Sequence, residues 1–214
     1  MQNQNNSKFE ILQMPPQNTN SVVVSVGDEC VVFDPWGHVA DWKRALTSRN
    51  LRLRAIYATH GHPDHISAAP ALAAKYNVPW YLHSGDFRLV GWGNELLDFF
   101  GIPHIAPNAP SPTPIYAGRY TVLPDVQMDV IETPGHTPGG VAYSFPDEKI
   151  LLTGDTVFRD GYGRYDFPGG CPEMLFQSIK NLRNLNLPAD TYVVHGHGVD
   201  STIGWLTQNH ELFK

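Results

Sequence analysis

The chain has 214 residues, 42% hydrophobic and 17% charged, enough to bury a core without covalent staples, and its 19 glycines and 18 prolines call for many turns. A formal charge of −6 has the wrong sign for a nucleic-acid backbone, whose phosphates need clustered Lys and Arg, so nucleic acid is excluded as the main partner. Cys30 and Cys171 alone cannot build a disulfide framework or a cysteine zinc knuckle, no stretch is long and apolar enough to span a bilayer, and the polar run Met1 to Ser7 lacks a secretory core; a cytoplasmic protein away from membranes is expected.

In chain order, residues 1–8 are expected to form a flexible N-terminus and 9–214 a single domain. Ser21–Val26 and Cys30–Phe33 are β-branched runs joined by Gly27-Asp28-Glu29, a hairpin that ends at Asp34-Pro35. Asp41–Asn50 reads as a helix leading into the apolar strand Ala55–Ala58. A second helix is expected from Ser67, its cap, with Pro70 in the first turn, to Tyr76, followed by the strand Trp80–Leu82. Residues 101–118 hold Pro103, Pro107, Pro110, Pro112 and Pro114, which preclude a helix or a central strand and leave two readings, a surface loop or a lid over a site. Strands follow at Tyr120–Leu123, Met128–Glu132, Val141–Phe145 and Ile150–Leu152, then a helix Pro172–Leu185, a strand Tyr192–Val194 and a short helix Ile203–His210. Strands and helices fall into two similar halves.

The chemistry is concentrated at strand ends. His60-Gly61-His62-Pro63-Asp64-His65 sets three imidazoles and a carboxylate into six residues after an apolar strand, donors that suit zinc and similar first-row ions. His136 stands in the rigid turn Thr133-Pro134-Gly135-His136-Thr137-Pro138-Gly139-Gly140. Asp155 follows the apolar Leu151-Leu152, where a carboxylate is costly unless something positive lies beside it. His195-Gly196-His197-Gly198 ends a third strand. His38, His83, His104 and His210 read as structural or exposed.

These four segments, in this order, resemble the metallo-β-lactamase superfamily, with its His-x-His-x-Asp-His run, later His, Asp and final His. The resemblance implies an α/β fold of the αββα sandwich type with a metal site at one edge of the two sheets. It implies that His60, His62 and His136 hold one divalent ion, that Asp64, His65 and His197 hold a second, and that Asp155 bridges them; zinc is the first candidate, and iron or manganese suit similar sets. His197 is preferred to His195 because the family shows Gly-His-Gly there; His195 is then a supporting or merely exposed imidazole. A hydroxide shared by two ions attacks an electrophilic carbonyl without a protein nucleophile, so a hydrolase is expected, with Asp64 and Asp155 as the catalytic carboxylates acting first as ligands.

Gly161 to Gly170 resembles the Gly-Arg-x-Asp-Phe segment of glyoxalase II-like hydrolases and of persulfide dioxygenases, and Ser201-Thr202-Ile203-Gly204 resembles the short single-domain glyoxalase II-like proteins. The implied substrate is a small-molecule thioester, S-D-lactoylglutathione or a relative, cleaved to acid and thiol. A thiolate leaves without much protonation. Arg164 and Tyr165 are the candidate substrate contacts, with Arg159 as a second source of positive charge, while an Arg164–Asp166 ion pair is the structural alternative; Trp92, Tyr162 and Tyr165 either shape a pocket or pack locally. Sixteen residues, 199–214, follow Gly198, against the helical extension of longer glyoxalase II proteins. Two other functions are weighed. One is an Fe(II) glutathione persulfide dioxygenase using His60, His136 and Asp155, for which Gly170-Cys171 speaks and Tyr162 and Tyr165 speak against. The other is a metal-stabilised binding protein without turnover. A β-lactamase is disfavoured by the absence of an export signal and a superfamily nuclease by charge.

Overall fold

Alternation along the strands divides the interior into layers. In the computed structural model, which describes residues 6–14 and 18–213, the first sheet is built from β1 (Ser7–Met14), β2 (Thr19–Val26) and β3 (Glu29–Phe33), then α1 (Val39–Ser48), β4 (Arg52–Tyr57), the single-turn α2 (Pro63–Ile66), α3 (Ala69–Tyr76), β5 (Trp80–Leu82), α4 (Asn94–Phe100) and β6 (Thr113–Pro114). Its strand order is β1-β2-β3-β4-β5-β6. Val23, Cys30, Val32 and Ile56 point to one face and pack with Trp42 and Leu46 of α1 and Leu72 of α3. Val22, Val24, Val31, Phe33 and Tyr57 point to the other, as the two-residue period of a strand requires.

The second half repeats the logic. It comprises β7 (Gly118–Leu123), β8 (Val126–Glu132), β9 (Val141–Phe145), β10 (Ile150–Gly154), the small ribbon β11 (Val157–Phe158) and β12 (Gly161–Tyr162), α5 (Pro172–Asn184), β13 (Tyr192–His195), β14 (Ser201–Thr202) and α6 (Ile203–Asn209). The main sheet runs β14-β13-β10-β9-β8-β7. Ala142, Leu151 and Val193 face α5 and α6, whereas Val130, Tyr143, Phe145 and Val194 face the first sheet. The seam between the sheets is aromatic: Phe33 stacks on Tyr57 at 5.2 Å and meets Tyr143 edge-on at 5.1 Å. The result is an αββα sandwich.

Both sheets place parallel strand pairs, β3 with β4 and β10 with β13, so that their C-terminal ends meet at one edge. There the two halves are joined by backbone: Val141 N donates to Thr59 O at 2.8 Å and Asn20 N to Gly196 O at 2.8 Å. The site is thus assembled at an edge where backbone hydrogen bonds join the two halves.

Several local expectations change. Residues 1–5 of the expected flexible extension lie outside the described residues, while Ser7 and Lys8 pair with Val26 and Ser25 in β1. Ser67 does not cap α3; Ala68 holds the cap position, and Ser67 Oγ accepts instead from Gly37 N at 3.1 Å. The Pro-rich segment contributes β6, an edge strand, which is where a strand can tolerate proline. Its Ile102, Ile105 and Ile115 are buried, which anchors it as packed surface structure. Helix α4 carried too weak a pattern in seven residues to be read from the sequence.

Candidate metal centre

Strand β4 delivers Thr59 and His60 to the sheet edge, and Pro63 at the first turn of α2, where a missing N–H is harmless, starts a helix that carries Asp64 and His65. His62 precedes that helix in extended conformation, so alternate residues of a short run face one point from two directions. His136 comes from the turn after β8, Asp155 from the end of β10 and His197 from the loop after β13. Two glycines permit the approach. Gly154 has φ +50°, and a Cβ there would lie 2.4 Å from Thr59 Oγ1; a Cβ on Gly196 would lie 2.0 Å from Asp155 Oδ1.

All seven side chains expected from sequence converge. His60, His62 and His136 form one group and Asp64, His65 and His197 another, the chosen donor atoms of each lying within 4.8 Å of one another, and Asp155 forms a third group with His60 and His65. Asp155 stands between the two sides: its Oδ2 is 3.6 Å from both His136 Nε2 and His197 Nε2, and its Oδ1 is 3.3 Å from His65 Nε2. Asp64 Oδ2 lies 3.2 Å from His197 Nε2.

The donor chemistry fits a cation. His136 Nδ1 donates to Arg164 O at 2.5 Å and His60 Nδ1 lies 3.0 Å from Thr59 Oγ1, which leaves lone pairs on the Nε2 atoms. Those of His60 and His136 face one another at 3.3 Å, a repulsive arrangement that a positive ion relieves, and His65 Nε2 lies 3.2 Å from His197 Nε2. His62 Nε2 and Asp155 Oδ1 are buried and have no hydrogen-bond partner among the described residues. Burial, with the neighbouring imidazoles, holds His60 well below its ordinary pKa, and burial with His136 pushes His62 down to about 4, so both favour the neutral ligating form. Burial opposes charge on His65 too, but the carboxylates of Asp155 and Asp34 hold it well above the usual histidine range. The His/Asp cluster is able to hold metal ions.

Two carboxylates that the sequence reading did not single out organise the cluster. Asp34, at the end of β3 with φ 48°, accepts from Thr59 N at 2.6 Å and Thr59 Oγ1 at 2.7 Å, and its Oδ2 lies 3.0 Å from His65 Nδ1. It therefore orients His65 directly and His60 through Thr59. Asp86, fully buried, accepts from Gly61 N at 2.8 Å, Thr137 Oγ1 at 2.7 Å and Gly139 N at 2.6 Å, tying the loop of His60 and His62 to the turn of His136. Asp34 follows a buried strand as Asp155 does, and that was a usable signal. Asp86 sits in a polar stretch without one.

His195 is neither exposed nor in the cluster. It is buried, its Nδ1 donates to Val157 O at 2.7 Å and its Nε2 lies 2.9 Å from Ser201 Oγ, so both ring nitrogens are occupied away from the centre. His104 pairs with Asp98 at the surface, and His210 bonds Gly161 O.

Above the cluster is a cavity of about 680 Å³, lined on the floor by His62, Asp64, His136, Asp155 and His197 and on the walls by Trp92, Leu96, Phe158, Tyr162, Arg164 and Phe167 among others. Arg164 lines it and is bound to Asp166 at 2.8 and 2.9 Å, the ion pair expected as the structural alternative. Tyr165 does not line it; its ring lies 6.4 Å from that of Tyr162 and 6.1 Å from that of Phe176. No residue of 101–118 lines the cavity, which favours the surface-loop reading of that segment; Trp92, Gly93, Glu95 and Leu96 line it instead.

The sequence model of the metallo-beta-lactamase superfamily matches residues 14–197, and the chain belongs to that superfamily, whose members are mostly hydrolytic enzymes. Among its relatives, hydroxyacylglutathione hydrolase GloC of Haemophilus influenzae is 31% identical over 189 residues, covering 88% of this chain and 89% of that protein. The crystal structure of BLEG-1 B3 metallo-beta-lactamase superposes with a TM-score of 0.85 at 31% identity over 97% of this chain and 100% of that one. TTHA1623, solved in a di-iron-bound form, superposes with a TM-score of 0.83 at 31% identity over 94% of this chain and 98% of that one. Among the described residues no helix is long and apolar enough to cross a membrane.

Proposed function

We propose that the protein is a thioesterase of the glyoxalase II type, cleaving S-D-lactoylglutathione or a related acyl-thioester, with two divalent ions held by His60, His62 and His136 on one side and Asp64, His65 and His197 on the other, and Asp155 shared. The observation that carries the reading is the meeting of seven donors from four strand ends beneath one cavity, with His62 Nε2 buried and without a hydrogen-bond partner among the described residues. GloC supplies the first substrate to try. Zinc suits the nitrogen and oxygen donors, and the di-iron form of TTHA1623 keeps iron in view.

Ions in such a site bring the pKa of water towards neutrality and polarise a carbonyl. The chain's own part is orientation. Asp34 and Thr59 fix the rings of His65 and His60, the Arg164 carbonyl fixes His136, and Asp86 keeps the two ligand-bearing loops in register. The aromatic walls line the cavity above the cluster and, once a substrate covers them, shield the reacting group from water. A thiolate, with a reference pKa of about 8.5, departs without a protein acid, which matches walls whose titratable groups are few. The reading extends to a cytoplasmic protein whose residues 9–214 form one domain and whose partner is a small molecule.

The test is metal content together with hydrolysis of S-D-lactoylglutathione, before and after chelation. Close to two ions per chain and thioester cleavage lost on chelation and restored by metal support it. Failure of the loaded protein to cleave any thioester overturns it, and one iron per chain with oxygen uptake on glutathione persulfide replaces it with the dioxygenase.

A further inference from the structure

The walls of the cavity carry information about the substrate that its floor does not. Trp92 lies 6.0 Å and Phe167 5.5 Å from the His62 ring, and 6.1 Å from each other, so an aromatic corner stands beside the imidazoles of the first ligand group. Phe158 lies 6.3 Å from the His197 ring on the other side. Trp92 and Leu96 are each 45% exposed and Phe167 36%, a cluster of large apolar side chains open to water at the mouth of a concave site. Apolar surface so placed gains most when a ligand covers it.

Charge points the same way. A glutathione tail carries two carboxylates and one ammonium, and its recognition needs cations. Among the described residues Arg164 is the one Lys or Arg of the lining, and its Nε and Nη2 both donate to Asp166 while its guanidinium lies 4.3 Å over the Phe167 ring. Its charge is matched and its plane adds to the aromatic wall. Glu95 brings an anion to the rim.

We infer that this site, on the thioesterase reading above, selects its substrate by an uncharged apolar group, aryl or medium-length alkyl, that lies in the corner of Trp92, Leu96 and Phe167, and takes little affinity from a glutathione tail. A cavity of about 680 Å³ has room for such a group beside the reacting carbonyl.

The test uses the metal-loaded full chain and two sets of thioesters, S-acetyl, S-butanoyl, S-octanoyl and S-phenylacetyl, each built on neutral N-acetylcysteamine and on glutathione, with thiol release as the readout. The expected result is a rise in kcat/KM of about tenfold or more from acetyl to octanoyl or phenylacetyl, a flattened series in Trp92→Ala and Phe167→Ala, and no more than about threefold preference for glutathione. A flat series in the parent protein, or a glutathione preference of about tenfold or more, overturns the inference. If no thioester is cleaved, the thioesterase reading fails separately, and calorimetry with the acids still decides the apolar one. Octanoate and phenylacetate binding about tenfold tighter than D-lactate, weakened in Trp92→Ala, supports it; equal binding overturns it.

Discussion

Asp86 is where the structure makes its most demanding claim, because a residue that touches no ligand group directly holds two ligand-bearing loops together. In Asp86→Ala, Gly61 N, Thr137 Oγ1 and Gly139 N lose their acceptor in a dry interior. Each buried donor left unpaired costs about 1–3 kcal/mol, and a side chain without the carboxylate removes part of that by sparing its desolvation, which already raises the pKa of Asp86. A net loss of about 3–4 kcal/mol follows, equivalent to a fall in Tm of about 10 °C for a domain of this size. Slackening of the His60–His62 loop against the His136 turn should also weaken metal binding by about 10–100-fold. Thermal unfolding of the metal-free variant by circular dichroism and zinc titration against a competing chelator measure the two effects. A Tm within about 2 °C of the parent, with unchanged zinc affinity, would refute the clamp.

Other substitutions separate roles within the site. His197→Ala should lose about one metal equivalent per chain with a near-parental metal-free Tm, whereas His195→Ala should keep its metal and lose stability, since it empties a buried, doubly bonded position; metal lost in His195→Ala and kept in His197→Ala would reverse the assignment. His195 also sets a pH dependence: burial pushes its pKa to about 4, so between pH 6.5 and 4 the unfolded chain binds more protons than the folded one and stability falls with falling pH. The group accounts for about 3 kcal/mol across that window, to be seen as a shallower pH slope in metal-free His195→Gln by denaturant titration. Arg164→Ala should leave Tm within about 2 °C, because an exposed ion pair contributes little, and should raise KM for thioesters by removing the guanidinium plane from the aromatic wall. Unfolding of that variant would confine Arg164 to holding its loop.

How much of this was legible before folding varies by element. β9 coincides with the expected Val141–Phe145, and α5 differs from expectation by one residue at its C-terminal end, because long periodic runs such as Pro172–Asn184 carry their pattern locally. β1 did not stand out: its Ser7–Met14 alternates only partly, and it becomes a strand by pairing with β2. The ligands of the six-residue run His60–His65 could be read from spacing alone, since His60, His62, Asp64 and His65 are neighbours in the chain as in space. Tyr165 could not be placed, because whether an aromatic in a loop faces a cavity or a neighbour such as Phe176 depends on packing from a distant helix.

The sequence by itself determined which side chains could ligate, their order along the chain, and the alternating strands that make two sheets each apolar on both faces. Only the tertiary structure decided that Asp34 and Asp86 brace the cluster, that His195 turns into the core while His197 turns out, and that the Pro-rich segment packs away from the cavity. The physical reason is range. Periodicity and donor type are properties of neighbouring residues, whereas a hydrogen bond between Asp86 and Gly139, or between His195 and Val157, exists only once strands far apart in the chain have met at one sheet edge.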